Sequence, residues 1–383
     1  MRLAILMNVR SHWSREIAIR LSRMGVSVTV IGLGELTSKL GYLSREDAVH
    51  RDGVSMLEQS IEALHTLSGH YRHPLNLVAG GVRLRKLLRD CRADALFTLY
   101  GGSQAAIAYL SGFRPYAVYL VGSDVHLLNP GTRMVGRLAM RGASAVFANG
   151  KDLAAVAESS FGCGPVSSYI IGIDTDRFSP RDAPADPVRI VCTRGFEAVY
   201  NNDALIRALA MLGDLDRAVE VTFVSAGSQL EAARKLAAEL LVGRERCVVS
   251  FLGGADDATL RRTLQESHIY VSMSRSDGTS ISLLEGMSCG LFPILSDIPA
   301  NRDWIDSAAD NGMLVPLDDP NALARAVRRA VEDDSLRLRA RSFNRDLILE
   351  RADGRKTAAE LVRQLEGMAR TKAAETRSAF RRV

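Results

Sequence analysis

A chain of 383 residues with 47% hydrophobic and 24% charged residues has the length of two ordinary domains and a globular composition, which excludes a disordered or low-complexity protein. Its five cysteines, Cys91, Cys163, Cys192, Cys247 and Cys289, are scattered and show no metal-ligand spacing, as expected of reduced thiols in a cytoplasm. The net charge of +5 is uneven: residues 1–175 hold 19 Lys+Arg against 13 Asp+Glu, and residues 176–383 hold 30 against 31. The first half is therefore expected to face an anionic partner; with no run of interleaved aromatic and basic residues, nucleic acid is not that partner.

Taken in chain order, "MRLAILMNVR" reads as a buried first strand, its apolar run being too short for a signal peptide. Further strands are expected at Val26–Ile31, Ala95–Leu99, Ala117–Val121 and Ala145–Ala148, with helices at Ser14–Met24, Val82–Cys91 and Lys151–Ser159. The longest uncharged stretch, "ALFTLYGGSQAAIAYLSGF" (Ala95–Phe113), carries "GGSQ" at its centre and so reads as strand, turn and helix instead of a membrane span. In the second half, strands are expected at Arg189–Cys192, Glu220–Val224, Cys247–Ser250, Ile269–Met273, Phe292–Leu295 and Gly312–Val315. Helices are expected at about Asp203–Leu212, Leu230–Leu241, Ala258–Gln265 and Ser280–Cys289. Such alternation makes an α/β chain of two doubly wound parallel sheets. Its expected domains are 1–175 and 176–350, joined through the Pro-, Gly- and Asp-rich stretch from Ile170 to Pro187. Residues 351–383 are expected to form a C-terminal helix packing back towards the first domain and ending in a basic, frayed tail.

The densest chemistry lies in "SRSDGTSISLLEGMSCGLFPILSDIPANRDWI", Ser274 to Ile305. It follows a strand, and doubly wound sheets bind ligands at the carboxyl ends of their strands. Thr279 or Ser280 can cap the ensuing helix, whose first-turn amides and positive end favour a phosphate. Glu285, eight residues after Asp277 and set among apolar neighbours, places a carboxylate where it could grip the cis-diol of a ribose. From the residues alone, a capped helix with a solvated Glu285 is the reading the local pattern favours.

Asp277, Gly278, Leu283, Leu284, Glu285, Gly286, Met287, Ser288, Cys289, Gly290, Pro293, Ile294, Ser296 and Asp297 fall in a pattern that resembles the signature of family 4 retaining glycosyltransferases, with its acid, seven residues and Glu. "IIGIDTDRFSP" (Ile170–Pro180) resembles the family's interdomain linker, and "VCTRGFEAVYNNDALIRAL" (Val191–Leu209) the start of its second domain. The resemblance implies the GT-B fold, with two Rossmann-like domains facing an interdomain cleft. It implies that Glu285 holds the donor ribose and that the stretch Gly278, Thr279, Ser280, Ile281 and Ser282 cradles the diphosphate. It implies that Asp277 touches the donor sugar and that Arg194 neutralises the diphosphate. The family's usual first acid is Glu, so Asp277 reaches one methylene less. A Lys that usually accompanies the Arg is missing, and Tyr200 and Asn201 occupy its region. In the first domain "YLVGSDVHLL" resembles a stretch of polysaccharide-building members, which makes Asp124 a second candidate catalytic acid; a plain capping Asp before "VHLLNP" is the alternative.

Arg133, Arg137 and Arg141, spaced by four, form a basic stripe if helical: either a solvated face or a contact for an acceptor or an anionic membrane surface. No glycine fingerprint follows the first strand ("NVRSHWSRE"), which disfavours a nicotinamide enzyme. The expected activity is transfer from a nucleotide-diphosphate sugar to a saccharide or lipid-linked acceptor, with retention. It is expected to need no metal or other cofactor, since the D-x-D of Asp174–Asp176 falls in the linker pattern. The expected setting is cytoplasmic, peripheral at the inner membrane face. An epimerase or phosphorylase of the same fold, or an inactive binding subunit, is the alternative.

Overall fold

Every strand expected from an apolar run forms, because each run is long enough to cross a sheet and too short for a helix. The computed structural model describes residues 1–33, 54–67, 74–126, 130–213 and 215–380. Their contacts divide the chain into two units, Met1–Ile171 with Arg355–Val383, and Gly172–Gly354.

In the first unit the elements run β1 (Arg2–Met7), α1 (His12–Arg23), β2 (Ser27–Leu33), β3 (Ala63–Leu67), α2 (Pro74–Asp90), β4 (Ala95–Thr98), α3 (Ser103–Leu110), β5 (Tyr116–Leu120), α4 (Ser123–His126), α5 (Pro130–Arg141), β6 (Ala145–Ala148), α6 (Lys151–Phe161) and β7 (Ser167–Ser168). The sheet is all parallel, ordered β3-β2-β1-β4-β5-β6-β7, with Leu3 in register with Val28 on one side and Ala95 on the other. Its central strands are buried on both faces, which explains their unbroken apolar runs. Two strands have no such run: β3 is half-buried and contains His65, and β7 is two exposed serines.

The second unit runs β8 (Val188–Cys192), α7 (Asp203–Ala210), β9 (Val219–Phe223), α8 (Leu230–Leu240), β10 (Cys247–Phe251), α9 (Asp257–Glu266), β11 (Ile269–Ser272), α10 (Ile281–Ser288), β12 (Phe292–Ser296), α11 (Pro299–Arg302), β13 (Met313–Val315), α12 (Pro320–Glu332) and α13 (Asp334–Arg351). Its sheet is again parallel, ordered β10-β9-β8-β11-β12-β13. In both sheets the chain starts near the middle, winds outward, then crosses back to wind the other way. The strand order therefore reverses between β1 and β4 and between β8 and β11, and ligands bind doubly wound sheets at such switch points.

The last helix, α14 (Gly354–Phe380), runs through most of the stretch expected to fray from Ala369. The reason is composition: the segment has neither proline nor a late glycine, is rich in Ala, Arg, Glu and Lys, and Arg370 pairs with Glu366 one turn back at 2.8 Å. Residues 381–383 of that tail lie outside the described residues.

Candidate functional site

The loop after β11 is fixed from the end of β12 and from α11. Ser296 Oγ donates to the Ser274 carbonyl at 2.6 Å, and the Asn301 side-chain amide donates to the Ser296 carbonyl at 2.9 Å. Helix α10 then begins with Ser280 as its cap, the hydroxyl accepting from the Leu283 amide at 3.3 Å. Leu283, Leu284 and Met287 bury the helix against the core. Gly286 suits the point where the helix crosses Tyr270, since a Cβ there would stand 3.1 Å from the ring, a tight contact that the ring would have to yield to. Gly290 ends the segment at φ +81°, a left-handed conformation that favours glycine. The linker meets the other end of α10: the Phe178 carbonyl accepts from Ser288 Oγ at 2.5 Å and from Arg345 at 2.8 Å.

Arg194 stands two residues beyond β8 and Asp277 five beyond β11, so the switch point lies between them. The structure brings these two expected residues together. Arg194 donates to Asp277 Oδ2 at 2.6 Å and to Ser280 Oγ at 2.7 Å, and is only 9% exposed. Its Nε is buried with no hydrogen-bond partner. The Tyr200 ring lies 4.3 Å from the guanidinium carbon, so an aromatic face packs on the cation in the region where the usual Lys is missing. Asn202 ties down the Arg194 loop, donating to the carbonyls of Arg194 and Gly195 at 3.1 and 2.9 Å. Asn201, at φ +52°, makes the tight turn that leads into α7.

Charge and burial oppose each other here. Burial works against the Arg194 cation, yet Asp277, aided by Tyr270, Tyr200 and Cys192, holds its pKa above the ordinary value. Burial pushes the Asp277 carboxyl up, against the pull of Arg194 and the Gly278 amide. Gly278, Thr279 and Ser280 are buried, while Ile281 and Ser282 are half-buried at the first turn. Glu285 is buried in the second turn and, after burial itself, is the main influence driving the Cys289 thiol up to about 12. Taken together these residues form a corner whose chemistry suits an anion: one cation, one hydroxyl, a helix start, and a carboxylate seated on the cation.

Asp124 is a different matter. The residue, a candidate acid or a plain capping Asp by sequence, is 2% exposed, and its carboxylate faces backbone amides. Oδ2 accepts from the Gly101 amide at 2.7 Å, and Oδ1 from the Gly122 and Val121 amides at 2.8 and 3.0 Å. It ties the loop after β4 to the loop after β5, and burial pushes its pKa up against those amides. In this arrangement the carboxylate braces the two loops.

Arg133, Arg137 and Arg141 lie on α5 and are exposed. Arg137 and Arg141 also reach carbonyls at the end of α6, Ser160 at 3.4 Å and Gly162 at 3.0 Å, where a cation complements the helix dipole. In the linker, the Asp174 carboxylate accepts from the Arg177 amide at 3.0 Å and Thr175 donates to Asp353. Among the described residues no three His, Cys, Asp or Glu side chains gather as metal ligands. Sequence reasoning missed Tyr200 and Asn202 as members of the corner and Ser280 as a direct partner of Arg194. Only the missing Lys hinted that something else must support Arg194.

Residues 187–333 match the family model described as glycosyl transferases group 1. The chain is 31% identical, over 165 residues, to the GDP-mannose:cellobiosyl-diphosphopolyprenol alpha-mannosyltransferase of Xanthomonas oryzae, a match covering 38% of this chain and 42% of that protein. It is 34% identical, over 120 residues, to the phosphatidyl-myo-inositol mannosyltransferase of Mycolicibacterium smegmatis, covering 31% and 29%. The chain thus spans less than half the length of the curated relatives it matches. Among solved structures, the glycosyltransferase of Rickettsia africae superposes with a TM-score of 0.77 at 13% identity, covering 96% of this chain and 98% of that one. Anabaena Alr3699/HepE in complex with UDP and glucose does so with a TM-score of 0.77 at 15% identity, covering 96% and 100%. These likenesses identify the fold as GT-B.

Proposed function

From a chain whose second unit carries a group 1 glycosyl transferase domain, we propose an enzyme that moves a sugar from a nucleotide-diphosphate sugar to a saccharide or lipid-linked acceptor in polysaccharide or glycolipid assembly. The observation that carries this reading is the buried Arg194 at the switch point of the second sheet, beside the capped start of α10. A leaving diphosphate develops negative charge, and a preorganised cation with helix-end amides stabilises it. In this reading Arg194, Ser280 and the first-turn backbone from Gly278 to Ser282 take the diphosphate, Glu285 the ribose, and Asp277 the donor sugar once the phosphate has displaced it from Arg194. That positive charge stands where a divalent cation would otherwise act, so the reaction is metal-independent, and it retains the anomeric configuration. The names of the matched relatives, with a diphosphopolyprenol and a phosphatidyl-inositol acceptor, support a lipid-linked acceptor. The enzyme then works at the cytoplasmic face of a membrane.

A thermal-shift panel of UDP, GDP, ADP and their sugars tests the donor site; a ligand at a hundred times its Kd raises stability by about 2.7 kcal/mol. No shift with any of them overturns the reading. With a donor in hand, turnover is to persist in excess EDTA, and the product anomer read by NMR is to match the donor. Restoration by magnesium after EDTA, or an inverted product, overturns those two points separately.

A further inference from the structure

We propose that the outer face of α2 and α5 in the first unit is a docking surface for a bilayer of anionic lipids. This face rests on its own observations and shares with the proposed function only the idea that the acceptor is reached at a membrane. The connections β3 to β4, β4 to β5 and β5 to β6 all run the same way along the sheet. Right-handed crossovers therefore place α2, α3 and α5 on one face, where α3 packs against both neighbours.

That helical layer is unusually apolar on its solvent side. Leu75, Val78 and Val82 on α2, and Met134 and Leu138 on α5, are between 47% and 72% exposed, and Leu110 at the end of α3 is 40% exposed. On α2 the stripe runs Leu75, Val78, Ala79, Val82 at helical spacing and then continues as Lys86 and Arg89, both exposed. On α5, Met134 and Leu138 alternate with Arg133, Arg137 and Arg141 over the same turns. Arg83 and Arg85 add to the cations of α2. Across the three helices stand seven cations and one acid, Asp90, an excess of six that equals the whole excess of residues 1–175.

Charge decides the occupant. A protein partner of ordinary kind seals a patch whose centre is depleted of charge. Here cations are interleaved with apolar side chains, the arrangement that lets Leu, Val and Met enter the acyl boundary while guanidinium groups stay among lipid phosphates. None of the described helices is long and apolar enough to cross a membrane, so the contact is interfacial.

The test is sedimentation of the full chain with vesicles of phosphatidylcholine alone or mixed with phosphatidylglycerol, at rising salt. Binding is to require phosphatidylglycerol and to fade as salt screens it. Each cation near the surface is worth about 1 kcal/mol, roughly five-fold in partitioning, so Lys86→Glu with Arg89→Glu and Arg133→Glu is to weaken binding by more than a hundred-fold. A second variant, Val82→Ser with Met134→Ser, is to lower binding while leaving the salt dependence in place. The nucleotide-induced thermal shift is measured on every variant and is to stay unchanged, which shows that the fold is intact and keeps this outcome separate from that of the donor site. Equal binding to neutral and anionic vesicles, or none by the wild type, overturns the proposal. Concentration-dependent self-association without vesicle binding overturns it in favour of a second copy of the chain.

Discussion

Asp277 and Asp124 each follow a central strand, each lies close to its sheet's switch point, and each is largely withdrawn from solvent, yet they are held in opposite ways. The Asp124 carboxylate accepts from backbone amides of two loops, and among the described residues it forms no ion pair within the salt-bridge distance. The Asp277 side chain keeps 20% of its surface and, beside the Gly278 amide, is held by the Arg194 side chain, which a stronger anion could take away. An acid after a strand is therefore not a functional signal in itself. What distinguishes the two is whether the partner is backbone, which cannot be exchanged, or a side chain, which can.

Removing the exchangeable partner gives the largest expected effect. Arg194→Ala is to weaken binding of a nucleoside diphosphate by about 2–3 kcal/mol, the worth of a charged hydrogen-bonding group, and to leave the parent nucleoside nearly untouched. Calorimetry with both ligands checks this; equal losses break the contrast, because Arg194 would then be supporting the fold of the whole pocket. Removing the fixed clamp is to act on stability instead. Asp124→Asn turns one acceptor oxygen into a donor facing buried amides, at a cost of about 1–3 kcal/mol, or a melting temperature lower by roughly 3–10 °C. Nucleotide affinity in the second unit is to stay at the wild-type value. A variant that melts normally but no longer turns over would return Asp124 to the reacting atoms.

A smaller and less intuitive effect sharpens the same contrast. With Asp277→Ala, Arg194 loses its resident anion and is left buried and uncompensated. The ligand-free protein is to melt earlier, while a nucleoside diphosphate binds several-fold tighter, on the order of 1 kcal/mol. Weaker or unchanged affinity would mean that Asp277 and the phosphate do not compete for Arg194.

Most of the architecture was legible because parallel strands buried on both faces are continuous apolar runs, and the glycines, prolines and polar turns between them mark where they stop. Strand β3 escaped because a half-buried edge strand with His65 and Thr66 carries neither an alternating nor a continuous pattern. At the site, the order of residues from Asp277 to Asp297 placed the helix start and both acids. Two things were hidden. Tyr200 and Arg194 are six residues apart with a loop between them, so no helical or strand period links them. The orientation of Asp124 depends on amides of Gly101, Val121 and Gly122, and amides leave no trace in a sequence.

A pH series meant to compare the two aspartates first meets His268, at the end of β11 away from the site. Its Nδ1 accepts from the Arg189 amide at 3.0 Å, which requires the neutral ring. Burial, followed by Arg337, Arg189 and Arg217 and opposed only by Asp334, lowers its pKa from 6.5 to about 4. Because the folded value is depressed, the unfolded chain takes up this proton first as the pH falls. Stability from this group is therefore complete above about pH 6.5 and is lost progressively towards pH 4. His268 is half-buried, so screening reduces the full linkage value, and we expect about 1 kcal/mol between pH 7 and 5. His268→Gln is to flatten that part of the profile, and an NMR titration of the ring is to give a midpoint near 4. A midpoint near the ordinary 6.5 would show that the Arg189 amide bond does not hold the ring neutral; the acid slope would then belong to neither His268 nor the two aspartates, whose raised pKa values favour the folded state as pH falls.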